Sequence, residues 1–172
     1  MLRSFAFIAL TVCAAAPAAT LQQLSMDQMT QSATAIVRAR VTGSSASFTG
    51  SAIYTHYKLQ IIETWKGFAT SEVMLPGGTA RGFKQSVSGV PNLQVGSEYV
   101  MFLWTSSSTG ITHLVGLTQG LFGLTQQADG SMMAGRSEIG ETMLDASGAS
   151  VRDQAVRMNL SDMKSRVGGS LK

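Results

Sequence analysis

The sequence predicts a mainly β protein: a small antiparallel β-barrel with a short N-terminal helix and a short C-terminal helix. Three stretches predict it. From Ile53 to Gly67 (IYTHYKLQIIETWKG), Ile53, Thr55, Tyr57, Leu59 and Ile61 alternate with Tyr54, His56, Lys58 and Gln60. One face of that strand is therefore apolar and the other polar. From Ser32 to Val41, Ala33, Ala35, Val37, Ala39 and Val41 alternate with Thr34, Ile36, Arg38 and Arg40. Small inward alanines imply the close approach of a tight barrel wall. From Glu98 to Trp104 (EYVMFLW) the chain is continuously apolar after the first residue, the pattern of a central strand buried on both faces.

The remaining elements follow in order. Leu21 to Gln31 places Leu21, Leu24, Met26 and Met29 at near-helical spacing and predicts an amphipathic helix whose methionines fill gaps. Thr42 to Gly50 reads as a flexible connection. The adjacent Ile61-Ile62 breaks the alternation of the long strand and predicts a bulge, and Lys66-Gly67 ends it. Ser71 to Leu75 is a short strand stopped by Pro76-Gly77-Gly78, and Arg81 to Val87 is strand-like. After the central strand, Ser106 to Gly110 is a hairpin loop. Ile111–Gly116 and Gly120–Gln126 are strands, and Ala128-Asp129-Gly130 turns into a strand over Ser131–Gly135. Ser137 to Ser150 reads as an extended or partly disordered arm. A last helix opens at Asn159 with Leu160, Met163 and Val167 as its apolar positions.

One domain accounts for 172 residues, a length that buries a core without disulfides. Residues 1–18 read as a signal peptide, residues 19–136 as the barrel, and residues 137–172 as the arm and helix. The leader shows Arg3, an apolar run from Phe5 to Ala16, and small residues around Ala16-Pro17-Ala18. The apolar run is too short to anchor, and no transmembrane segment follows. Cys13, the single cysteine, lies in that leader, and the bulky Val12 before it argues against a lipoprotein site. The mature protein is thus expected to be disulfide-free and secreted or periplasmic, in the manner of a bacterial envelope protein. Charged residues make up 13% of the chain, against about 25% in an average domain, and the net charge of +3 is scattered. No basic stripe exists to follow a phosphate backbone, so no nucleic-acid partner is expected.

The segments ATAIVRARV, YTHYKLQIIETWKG and GSEYVMFL, spanning Ala33 to Leu103, resemble the opening of netrin-like domains, which include the tissue inhibitors of metalloproteinases. With QGLFGL at Gln119–Leu124 and the hairpin after it, they also resemble uncharacterised bacterial exported proteins of the same layout. Both resemblances imply an OB-like antiparallel β-barrel. Netrin-like inhibitors cap a protease zinc with a mature N-terminal cysteine, and this chain offers none, so no functional residue transfers.

Catalytic signatures are sparse. His56 and His113 are the two imidazoles. His56 reads as a solvated strand residue and His113 as a semi-buried one, and no GxSxG elbow accompanies them. No HExxH, paired histidines or aspartate-rich loop suggests a metal. A soft site from Met132-Met133 and His113 fails because adjacent strand residues face opposite ways. Glu63, Glu72 and Glu98 share no motif. No catalytic residue, metal or cofactor is assigned.

The expected function is an exported, non-catalytic barrel module that binds a protein or cell-envelope component. Its binding surface is assigned to Tyr54, His56, Lys58 and Gln60 on the outer face of the long strand, with Arg38 and Arg40 alongside. The alternative is a loop-based protease inhibitor or a small hydrolase, using the loops at Pro76–Gly82 and Ser106–Gly110.

Overall fold

The computed structural model describes residues 20–68 and 70–172; the expected leader and Cys13 lie outside them. The chain runs through β1 (Thr20–Gln22), α1 (Met26–Ser32), β2 (Ala35–Thr49), β3 (Ala52–Lys66) and β4 (Glu72–Pro76). It continues through β5 (Gly78–Ala80), β6 (Phe83–Gln85), β7 (Glu98–Thr105), β8 (Thr112–Leu114) and a 3-10 turn at Leu117–Gly120. β9 (Leu121–Gln126), β10 (Met132–Arg136), β11 (Thr142–Leu144), β12 (Ser150–Val151), β13 (Val156–Asn159) and α2 (Leu160–Ser170) complete it. The fold is mainly β, with two helices and mostly antiparallel pairing.

The large sheet has the order β13-β10-β9-β7-β2-β3-β4, with β8 beside the C-terminal half of β7. Every ladder in it is antiparallel. β4 and β8 therefore run parallel, and they face each other across a seam bridged by side chains instead of a ladder. At the seam, His113 Nδ1 donates to the Met74 carbonyl at 3.0 Å, and the Thr70 and Thr112 hydroxyls lie 3.3 Å apart.

Two cores explain the patterning. Val37, Val41, Leu59, Leu75, Met101 and Leu103 belong to one core inside the curl of β2, β3, β4, β8 and β7. Ile36, Val100, Phe102 and Phe122 belong to a second core outside it, with Met26 and Met29 of α1 and Met163 and Val167 of α2. β2 and β7 are thus buried on both faces where the helices cross them. Ile36, on the outward phase of β2, is fully buried for that reason.

The bulge expected at Ile61-Ile62 is present. Arg38 pairs with Glu63 and Ala39 with Ile61, so Ile62 is the extra residue and is 43% exposed. Further irregularities, which the alternation does not show, leave Thr42 and Trp65 unpaired. The Lys66-Gly67 ending is structural. Gly67 has φ +63°, and a Cβ there would lie 1.9 Å from the Thr34 carbonyl oxygen. Lys66 Nζ meanwhile donates to the Thr30 and Gln31 carbonyls at 2.7 and 3.1 Å, closing the end of α1.

Three expectations are corrected. Residues 42–50 are not a flexible connection: β2 continues to Thr49, which pairs with Ala52 across a tight turn. Backbone pairing holds this arm of the hairpin, so its Ser- and Thr-rich side chains carry no apolar signal. The N-terminal helix begins at Met26 instead of Leu21, because Thr20–Gln22 pairs in parallel with Thr142–Leu144. Ser25 and Gln28 then form a reciprocal capping box, Ser25 Oγ accepting from Gln28 N–H and Gln28 Oε1 from Ser25 N–H. The arm is ordered: β11 pairs with β1 and β12, and β13 extends the large sheet beyond β10. The C-terminal helix matches expectation, with Met163 and Val167 fully buried.

Candidate functional site

The helices cover the outer surface of β2, β7 and β9 and reach the Glu63–Trp65 end of β3, away from Tyr54–Gln60. The six sequence-assigned residues divide into two groups on this surface. Arg38 and Arg40 form one. Arg38 Nη2 lies 2.7 Å from Glu98 Oε2, and Arg40 Nη2 lies 2.5 Å from Glu98 Oε1. The cross-strand registers Arg38↔Val100 and Arg40↔Glu98 bring them together. The Arg38 guanidinium, with that of Arg40, outweighs partial burial and holds the Glu98 carboxyl below the usual carboxylate range. Glu63, opposite Arg38 on β3, is held low chiefly by Lys164 of α2, with which it pairs. Charges therefore alternate from α2 through β3 and β2 to β7. The arginines are committed within the fold, and Glu98, which shared no motif with the other glutamates, is their partner.

Tyr54 and His56 form the second group, near the seam. The Tyr54 ring centroid lies 6.5 Å from that of His113. His113 is directly opposite Trp104 on β7, and Trp104 is 46% exposed. Trp104, His113, Tyr54 and His56 thus make a row of flat rings across β7, β8 and β3. Met74, paired with His56 on the same outward phase, is only 7% exposed. Lys58 and Gln60 continue the β3 face and are exposed.

His56 carries a second feature that alternation alone does not disclose. Its Nδ1 lies 2.9 Å from Glu72 Oε1, and its Nε2 lies 2.9 Å from Ser47 Oγ. With Nδ1–H donated to Glu72, Nε2 accepts from the Ser47 hydroxyl, the hydrogen-bond order of a Ser–His–carboxylate relay. Ser47 escapes the sequence reading because its segment carries no strand signal. Counting outward from the Gly50-Ser51 turn places it opposite Tyr54 and diagonal to His56. Trp104 escapes because a continuously apolar run hides which residues point outward.

The larger grooves lie elsewhere. One of about 570 Å³ is floored by Gly123 and Gly135 beside Tyr99 and Arg157. Another, of about 710 Å³, lies between α1 and the arm beside the Arg136–Asp153 pair. The ring row is a surface, not a cleft, which suits a macromolecule better than a small ligand. Among the described residues, no cluster of three or more His, Cys, Asp or Glu side chains is placed to hold a metal. β10, with Met132 and Met133, pairs with β9 and β13, whereas β8, which carries His113, pairs with β7. Among the described residues, no helix is long and apolar enough to cross a membrane.

No protein-family model matches the sequence, and no curated protein matches it either.

Proposed function

We propose that this chain is an exported, non-catalytic module with an OB-like barrel that binds a protein or cell-envelope component through its open outer face. The run β7-β2-β3-β4, with β8 paired to β7 and packed beside β4 without a ladder, supports the barrel reading. In OB folds the face of the second and third strands is a common contact surface, and here those strands are β3 and β4. The observation that carries the reading is the row Trp104–His113–Tyr54–His56, in which Trp104 is exposed and the other three rings are half-buried. Trp and Tyr at a surface supply large contact area for little conformational entropy and are enriched among the residues that dominate interface energetics. Arg38 and Arg40 contribute by shaping the neighbouring surface, since both are paired with Glu98, whose single charge offsets one of their two.

Capture from envelope extract tests it. Tyr54→Ala and Trp104→Ala lose the partner, whereas Arg38→Ala retains most of it. Equal capture by all three variants removes this face from the proposal.

The Ser47–His56–Glu72 hydrogen bonds favour a second reading, a small hydrolase acting on unhindered esters. It ranks behind the first on electrostatic grounds. The Glu72 side chain is 44% exposed, and a solvated relay lacks the low-dielectric enclosure that gives such charges their catalytic effect. Labelling by a fluorophosphonate probe that disappears in Ser47→Ala supports it, and an unlabelled wild-type protein dismisses it.

A further inference from the structure

We propose that the adjoining tips of two hairpins form a docking site for an anionic lipid surface, separate from the outer face described above. The β2–β3 hairpin projects beyond the ladder of β2 with β7, which ends at Arg40↔Glu98. The β5–β6 hairpin packs beside it. Phe48 of the first and Phe83 of the second meet edge to face at 6.1 Å between centroids, and the Arg81 guanidinium lies 5.8 Å from the Phe48 ring centroid. Phe83 remains 67% exposed and the nearby Val87 39%. Apolar side chains at that exposure lose free energy to water that a contact surface would recover.

Charge identifies the surface. Residues 43–62 and 76–97, which build both hairpins and their flanks, contain Lys58, Arg81 and Lys84 and no Asp or Glu. Among the described residues, Arg81 and Lys84 enter no ion pair. Two acids approach these segments, Glu72, which meets His56 Nδ1 at 2.9 Å and is paired in register with Lys58, and Glu141, which meets Ser88 Oγ at 3.2 Å; neither pairs with Arg81 or Lys84. The tip is therefore cationic and apolar together. Its shape then chooses between a protein and a membrane. A groove of about 300 Å³ opens beside the β5–β6 hairpin with Lys84 and Val87 in its lining, but Phe48, Arg81 and Phe83 lie outside it on the hairpin ends; a lipid interface yields around such a projecting ring and brings anionic headgroups to the flanking cations. Arg81 also sits at φ +50°, a conformation that costs a non-glycine residue energy and holds its side chain at the tip.

Vesicle co-sedimentation tests this, using the protein recovered from its native host so that wild type and variants share one N-terminus. Vesicles of phosphatidylcholine alone are compared with mixtures containing phosphatidylglycerol. The expected result is partitioning that requires phosphatidylglycerol and weakens with salt. Lys84→Ala and Arg81→Gly should each lower the partition coefficient about fivefold. Glycine suits the Arg81 backbone, so that variant keeps the hairpin intact. Phe83→Ser, at an exposed position, lowers partitioning with an unchanged unfolding midpoint. Equal partitioning onto both vesicle types, or variants indistinguishable from wild type, overturns the proposal. So does an acidic protein captured through Phe83 in the absence of vesicle binding.

Discussion

Arg136 and Asp153 form a buried ion pair, with Nη1 2.5 Å from Oδ2 and side chains only 8% and 2% exposed. The pair joins β10 to the segment between β12 and β13, and Asp153 also accepts the Ile139 N–H at 2.8 Å. Burial pushes the Asp153 carboxyl up, but the Arg136 guanidinium and that N–H outweigh it and hold it below its ordinary range. Replacing it with Ala leaves a buried guanidinium without its counter-charge. Asp153→Ala should cost about 3–5 kcal/mol in urea unfolding.

The same pair sets an acid limit. A carboxyl depressed in the folded state contributes stability that is fully present above its unfolded value, about 3.9, and is lost as pH falls through the folded value. The gap in melting temperature between wild type and Asp153→Asn should be constant from neutral pH down to about 5 and close below about 4. A gap unchanged at the lowest pH at which both still fold contradicts this role.

Gly67→Ala should destabilise by about 2–3 kcal/mol, because a Cβ meets the Thr34 carbonyl and φ is positive. Gly82→Ala, also at positive φ but with open space around its Cβ position, isolates the conformational part of that cost. Denaturant midpoints of the two variants separate the close approach from the backbone strain.

Ile62→Thr should change stability by less than about 0.5 kcal/mol, since the bulge turns Ile62 to solvent. Ile36→Ala, fully buried in the core under the helices, should cost about 2–5 kcal/mol. Both lie on strands with clear alternation, and only tertiary packing distinguishes the buried outward isoleucine from the exposed one.

That contrast shows where the sequence is legible. Alternation in Ala35–Val41 and Ile53–Ile61 discloses the inner faces, and the paired isoleucines disclose the bulge, because one buried face imposes period two; Ala33, in the same phase, instead ends α1 and packs in the helix-side core. The hairpin arm after Val41 is held by backbone pairing to the adjacent β3, and strands of the C-terminal arm by pairing to distant β1 and β10, which leaves no local apolar pattern. The same reason governs the site. Tyr54 and His56 follow from phase on one strand, while Ser47, Glu72, His113 and Trp104 reach them only through registers set by a turn and a seam. Arg38 and Arg40 look free along the strand and are bound once β7 brings Glu98 beside them.

Site-specific photocrosslinking in the native envelope tests the central claim most directly. A photoreactive phenylalanine analogue at Tyr54 or Trp104 should crosslink one discrete partner. The same analogue at exposed Val95, on the connection before β7, should not. Crosslinks from Val95 alone, or identical products from all three positions, would contradict a contact surface centred on the Trp104–His113–Tyr54–His56 row.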